Sequence, residues 1–318
     1  MTYERQERQE VRGEREDAAV RQLDGLVVGV DGPVFWVDAE GREYPCTMRG
    51  RLRKDRQEAA SLLVIGDAVA IRVLPDGSGV VERRAPRRTE LSRPVSFRGV
   101  PHVIAANLDL LVVVQSARLP NFRRTLTERF LAMAHHARMD ALVVVNKCDL
   151  EDGAIVRQWV RPLVDNGVPV LLTSAAIGTG LEELRCALTG KASVLAGQSG
   201  VGKSTLVNAL YPQFGARVGA VSTRHQKGRH STTSGRLYRL PGGGYLADTP
   251  GLRELALFDD METETAEIFP EIQAAAQGCK FRDCSHTHEP HCAVKAAVER
   301  GEIDRGRYES YVRMQGGK

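Results

Sequence analysis

No apolar run in this 318-residue chain approaches the roughly 18 residues of a membrane span; even Leu108 to Val114 is interrupted by Asp109. The N-terminus is charged from Glu4 onward and lacks the apolar segment of a signal peptide, so no membrane partner is expected and a cytoplasmic location is. Apolar residues are scarce from Met1 to Gln22, where Glu and Arg alternate. With so little to bury, that stretch reads as a charged tail, disordered or a solvated helix. Cysteine is sparse and unevenly placed. Cys46, Cys148 and Cys186 are scattered, which argues against a disulfide framework, while Cys279, Cys284 and Cys292 crowd into fourteen residues with three histidines. In a reducing compartment that asymmetry points to a metal.

What is present is the composition of a globular protein, 42% apolar and 26% charged, with length enough for two or three domains. The net charge is only +4, but the basic residues cluster, which suits either an acidic partner or a solvated surface. From Leu23 to about Glu90 the pattern is of short β-type runs: Gly25 to Val30, Val34 to Asp38, Arg42 to Met48, Asp67 to Leu74 and Gly79 to Arg84. Asp31-Gly32-Pro33, Glu40-Gly41 and Asp76-Gly77 supply turns between them. Five such strands predict a small β-barrel, with the OB-fold as the leading candidate because it closes with five. Basic segments at Arg49 to Arg56 and Arg83 to Arg88 either track a phosphate backbone or are solvated loops. Phe35, Trp36 and Tyr44 either stack on bases or fill the barrel. Prolines at 86, 94 and 101 then mark a linker or edge strand.

Beyond it the periodicity becomes α/β. Strands are predicted at Val103 to Gln115, Ala141 to Val145, Val168 to Thr173 and Ala192 to Ala196, with helices at Thr125 to Ala137, Ile155 to Asn166, Leu181 to Leu188 and Thr205 to Tyr211. The last strand runs into Gly197, Gln198, Ser199, Gly200, Val201, Gly202, Lys203 and Ser204, a complete G-x-x-x-x-G-K-S phosphate loop, with Thr205 next as a further nucleotide-binding candidate. Glycines let backbone N–H groups converge on phosphate, Lys203 reaches the outer phosphates, and the Ser204 hydroxyl can ligate Mg²⁺. At the end of Ala141 to Val145 stands N-K-x-D as Asn146, Lys147, Cys148 and Asp149. The Asp149 carboxylate can accept from both N1–H and N2–H₂ of guanine, a donor pair that adenine lacks, which disfavours an ATP-using enzyme. Ser174 and Ala175, after the next strand, can offer a backbone N–H to guanine O6. Downstream, a hairpin of Arg236 to Leu240 and Tyr245 to Ala247 ends in Asp248-Thr-Pro-Gly251. In this D-x-x-G, Asp248 would hold Mg²⁺ through water and Gly251 N–H would face the γ-phosphate. Between loop and hairpin, Gly215 to Ser234 has the composition of a switch, with Thr232 or Thr233 as the metal-ligating threonine.

Ordinary GTPases run phosphate loop, switch threonine, D-x-x-G, N-K-x-D, Ser-Ala. This chain runs N-K-x-D, Ser-Ala, phosphate loop, switch, D-x-x-G, and is therefore circularly permuted. Beyond D-x-x-G lies Cys279-x4-Cys284-x-His286-x5-Cys292, which can supply a closed tetrahedral set for one structural zinc ion; His288 and His291 are alternates for the fourth ligand. Helices are expected at Glu262 to Phe269, Ala293 to Arg300 and Asp304 to Met314.

An OB-like barrel, a permuted GTPase and this Cys₃His cluster together resemble the bacterial small ribosomal subunit biogenesis GTPases of the RsgA (YjeQ) family, over about Leu23 to Met314. The resemblance implies a multidomain protein: a tail (1–22), the barrel (23–90), the permuted α/β P-loop GTPase domain (91–258) and a mostly helical zinc-binding domain (259–318). It implies hydrolysis of GTP to GDP with Mg²⁺, binding to the 30S subunit late in its assembly, stimulation by that subunit, and contact with 16S rRNA through the barrel and zinc domains; a monomer is expected. The rival reading is an RNA-binding factor for which GTP is mainly a conformational ligand. Leu252 stands where Ras-type GTPases carry the glutamine that orients water, so slow intrinsic turnover is expected. The water-orienting group then comes from elsewhere, either His230 beside Thr232 or an rRNA group.

Overall fold

The structure, a computed structural model, describes residues 21–48, 63–93, 102–214, 235–248 and 265–315. Residues 1–20 of the tail, the basic segment from Arg49, the whole switch region (215–234) with His230, Thr232 and Thr233, and Gly251 with Leu252 lie outside the described residues.

Five strands open the chain: β1 (Gln22–Asp31), β2 (Val34–Ala39), β3 (Arg42–Met48), β4 (Ala68–Val73) and β5 (Gly79–Arg84). β1 pairs with both β2 and β4, β4 pairs with β5, and β5 runs parallel to β3. That circuit closes the barrel, as alternating apolar residues require when one strand face must leave water. Val27, Phe35, Val37, Tyr44, Ile71 and Val81 fill it. Phe35 and Tyr44 are thus barrel core, while Trp36 is only half-buried. Of the two arginines after β5, Arg87 is turned inward and Arg88 stays 68% exposed. Arg87 Nε donates to the fully buried Asp67 at 2.7 Å, and Arg88 pairs with Asp109 at 3.0 Å.

The expected strand over 103–115 is two strands, β7 (His102–Ala106) and β8 (Leu110–Ser116), with β7 paired antiparallel to β6 (Glu90–Arg93). Asn107 makes the break. Its backbone is left-handed (φ 53°), and its amide donates to Gly66 O at 2.8 Å and accepts from Arg88 N at 2.8 Å. An Asn tolerates that conformation because its side chain bonds locally.

The central sheet then runs β10 (Val170–Leu172), β9 (Asp140–Asn146), β8, β11 (Ala192–Ala196), β13 (Tyr245–Asp248) and β12 (Arg236–Arg239), parallel except for β12. One face packs α1 (Arg124–His136) and α2 (Gly153–Asp165) around Val113, Phe130, Val143 and Val160; the other packs α3 (Leu181–Leu188) and α4 (Lys203–Leu210) around Val112, Leu184 and Leu206. β12 also meets β1, so barrel and central domain share a continuous sheet.

In the C-terminal region, the expected helix over 262–269 is not what the described residues form. A 3₁₀ turn spans Thr265–Ile268, and the helix α5 (Pro270–Ala276) starts at a proline. Proline at a first helical position costs no hydrogen bond and holds the preceding residue, Phe269, out of helical geometry. α6 (Ala293–Glu299) and α7 (Arg305–Gln315) complete the fold, α7 packing on α1.

Candidate nucleotide and metal sites

β11 delivers the phosphate loop at the carboxyl end of the parallel sheet, where an open α/β sheet binds its ligand. Glycine is required there by space. Gly197 sits at φ 145°, where a side-chain carbon would fall 2.1 Å from Val114 O, and at Gly202 (φ 97°) such a carbon would fall 2.3 Å from Asn146 Nδ2. Lys203 Nζ donates to the loop's own carbonyls, Gly197 O at 2.6 Å and Gln198 O at 2.8 Å. Ser199 and Gly200 are exposed, Ser204 is half-buried at the start of α4 beside the exposed Thr205, and Val201 is buried beneath the loop.

Asn146 joins three of the motifs. Buried at the end of β9, it donates to Val201 O at 2.9 Å and accepts from Ala175 N at 3.2 Å, with Thr173 Oγ1 at 3.4 Å. Phosphate loop, N-K-x-D and Ser-Ala thus meet on one amide. Lys147, in left-handed conformation, donates to Gly200 O at 2.7 Å and to Leu119 O. Cys148 opens a 3₁₀ turn to Leu150, its thiol pushed up by burial and then by neighbouring Asp149, which is exposed. Ser174 is fully buried and its N–H donates to Thr179 O at 3.0 Å, so neither Ser174 nor Ala175 has an idle amide. Asp248 closes β13, half-buried, in register with Arg236. The loop from Ser116 to Pro120 was not anticipated as part of this site. Pro120 Cδ would lie 3.6 Å from a side-chain carbon placed on Gly200, and Ser116 Oγ donates to Pro120 O at 2.5 Å. The one sequence signal for it was the proline after the β8 strand.

The second site lies between α5 and α6. Ligand atoms of Cys279, Cys284, His286 and Cys292 all fall within 4.8 Å of one another and can hold one metal ion. His286 Nδ1 is 3.5 Å from both Cys279 Sγ and Cys292 Sγ. His288 does not join them, its side chain being 85% exposed. The turn is set by Glu289, whose carboxylate accepts from Ser285 N at 2.9 Å and Ser285 Oγ at 2.7 Å; those bonds hold it well below the usual carboxylate range. Tyr308 O–H of α7 donates to His286 O at 2.7 Å.

The RsgA GTPase family matches residues 84–258, more than half of the chain. The chain belongs to the RsgA GTPase family. Two relatives, each a small ribosomal subunit biogenesis GTPase RsgA, are 40% identical: one from Gemmatimonas aurantiaca, over 92% of this chain and 96% of its own, and one from Azotobacter vinelandii, over 93% and 89%. Among solved structures, YjeQ from Thermotoga maritima is 34% identical with a TM-score of 0.72 over 93% of this chain and 98% of its own. YloQ, a circularly permuted GTPase, is 30% identical with a TM-score of 0.71 over 94% and 96%. As an RsgA GTPase the chain hydrolyses GTP, on a circularly permuted GTPase domain flanked by the five-stranded barrel and the Cys₃His region.

Proposed function

We propose that this GTPase acts in late maturation of the 30S ribosomal subunit, is stimulated by that subunit, and contacts 16S rRNA through its barrel (23–90) and C-terminal (259–318) domains, as a cytoplasmic monomer. The observation that carries the nucleotide half is Asn146, whose amide holds phosphate loop and Ser-Ala loop at one spacing. The relatives' shared role in small-subunit biogenesis supports the ribosomal half.

In this reading Asp149 and Ala175 select guanine, the latter sharing an N–H that Asn146 holds at a long 3.2 Å. The loop from Gly197 to Ser204 cradles the phosphates, and Lys203 exchanges its two loop carbonyls for phosphate oxygens. Ser204, Asp248 and Thr232 would hold Mg²⁺, which neutralises charge on the β- and γ-phosphates. Gly251 N–H would face the γ-phosphate, and His230 would orient the attacking water, a task for which Leu252 has no polar group. Positioning and charge neutralisation are most of what phosphoryl transfer asks of a protein.

The metal of the Cys₃His site is zinc in this reading. A tetrahedron with Zn–S of about 2.3 Å and Zn–N of about 2.0 Å has edges of about 3.8 Å between sulfurs and about 3.5 Å from sulfur to nitrogen. Cys279 Sγ to Cys292 Sγ is 3.9 Å, and both lie 3.5 Å from His286 Nδ1.

GTP turnover by the purified protein, with and without 30S subunits at matched salt, tests the proposal; salt is fixed because RNA contacts weaken steeply as it rises. Stimulation by orders of magnitude is expected. Bound guanine nucleotide without stimulation would move the partner elsewhere and favour GTP as a conformational ligand. His230→Ala is expected to abolish most of the stimulated rate, and an unchanged rate removes His230 from the mechanism.

A further inference from the structure

Arg236 opens β12 and is in register with two residues at once, Gly29 of the barrel on one side and Asp248 on the other. Gly29 is paired in turn with Trp36, and Trp36 with Pro45. One cross-strand row therefore runs from the barrel wall to the aspartate of D-x-x-G. Residues opposed in antiparallel strands lie about 5 Å apart, so displacement of one is felt by the next.

The Arg236 side chain turns back along this row. Gly29 leaves the space: a side-chain carbon there would stand 3.0 Å from Arg236 Nη1 and 3.3 Å from Trp36 Cδ1. The guanidinium lies 5.9 Å from the Trp36 ring centroid and donates to Glu43. At the other end of the hairpin, where Arg239 opposes Tyr245, the Tyr245 O–H donates to Asp38 Oδ2 at 2.9 Å. Arg236 and Glu43 are 36% and 43% exposed, so their ion pair adds little to fold stability. It fixes where the first residue of β12 sits, and β12 carries Asp248 as its neighbour.

We propose that Arg236 is a positioning residue for Asp248. By clasping the guanidinium between Trp36 and Glu43, the barrel sets the place of the Mg²⁺-holding aspartate, and anything that pulls on either residue reaches the metal site through one side chain. The proposal rests on the reading of Asp248 under Proposed function.

The test is GTP hydrolysis by the full-length protein as a function of Mg²⁺, for Arg236→Ala, Glu43→Gln, the charge swap Glu43→Arg with Arg236→Glu, and Asp248→Asn as reference. Loss of an outer partner costs a metal site about tenfold or more in affinity. Here, one strand removed, the Mg²⁺ concentration for half-maximal hydrolysis rises about three- to tenfold in Arg236→Ala and Glu43→Gln. The rate at saturating Mg²⁺ falls less than that, the melting temperature stays near the parent's, and the charge swap recovers most of the shift. An unchanged Mg²⁺ dependence in both single variants overturns the proposal, and Glu43→Gln carries the test if Arg236→Ala does not fold. If Asp248→Asn shifts the dependence and the clasp variants do not, the positioning role alone is wrong. If Asp248→Asn shifts nothing, the reading of Asp248 falls and takes this proposal with it.

Discussion

Replacing Arg307 by alanine should loosen the C-terminal helix from the GTPase domain, and by more at pH 8 than at pH 6. Arg307 is 1% exposed between α7 and α1. It sits 3.4 Å from Oε1 of the fully buried Glu128, pairs with Glu271, donates to Ile268 O at 2.9 Å and lies 4.6 Å over the Phe269 ring. Burial pushes the Glu128 carboxyl up to about 7 against the opposing pull of Arg307, and its Oε2 has no hydrogen-bond partner among the described residues. Breaking a buried pair by removing one partner costs about 3–5 kcal/mol, because the remaining charge is left without compensation. Protonation of Glu128 caps that cost: relative to the parent, the extra loss grows by about 1.4 kcal/mol per pH unit above the parent's folded value. The folded pKa is raised above the unfolded carboxylate value, so the folded state binds more protons between the two and stability falls as pH rises through that window. Without Arg307 the folded value rises further. At pH 6 Glu128 is then neutral, and only the lost hydrogen bonds and ring contact remain, about 1–2 kcal/mol. Hydrogen exchange of α7 amides, read by mass spectrometry at both pH values and corrected for intrinsic rates, measures the opening. We expect an increase of about two powers of ten or more at pH 8 and about one at pH 6, with Glu128→Gln in the same chain erasing the difference. An increase below tenfold at pH 8, or equal increases at both, would refute the reasoning.

Asn146→Ala leaves a buried carbonyl and a part-buried N–H without their partner, at about 1–3 kcal/mol. GTP and GDP affinity should fall together by about 10- to 100-fold in a fluorescent-nucleotide titration, and a loss confined to GTP would contradict it. Asp149→Asn should exchange guanine for xanthine preference, checked by competition between GTP and XTP; retained GTP selectivity would place base recognition elsewhere. Cys292→Ser removes a thiolate from the core of the Cys₃His cluster. Metal content by elemental mass spectrometry should fall well below one zinc per chain, and α6 and α7 should become sensitive to proteolysis while guanine nucleotide binding persists.

Much of the architecture could be read from the chain because two periodicities announce it. Alternation in β2 and β3, and apolar runs such as Leu142 to Val145 in β9, each answer to a local rule. The errors fell where a side chain or a proline intervened. Asn107 splits an apolar run by bonding the backbone groups of Arg88 and Gly66, and no period contains that information. Pro270 moved a helix start past Phe269. In the site, motif spacing located Asn146 and Ala175 at consecutive strand ends, but their hydrogen bond depends on the parallel register of β9 with β10, which is tertiary. Arg87 shows the limit from the other side. In sequence it is one of a basic run, and only Asp67, twenty residues earlier and buried, makes it structural.

The permuted order gives these placements a common sense. Joining the usual start of the GTPase domain to its usual end, and opening the chain between D-x-x-G and N-K-x-D, leaves the strand pair β12–β13 with a barrel on one edge, because the N-terminal chain arrives beside it. It also leaves α1, which comes after the loop packed against Gly200, facing the C-terminal helices. Thr125 meets Ser310 at 3.1 Å, and Arg124 pairs with Asp304. Each flanking region therefore meets an element that carries a nucleotide motif: the barrel through Arg236, in register with Asp248, and the Cys₃His region through α1, which follows the Leu119–Pro120 loop bonded by Lys147.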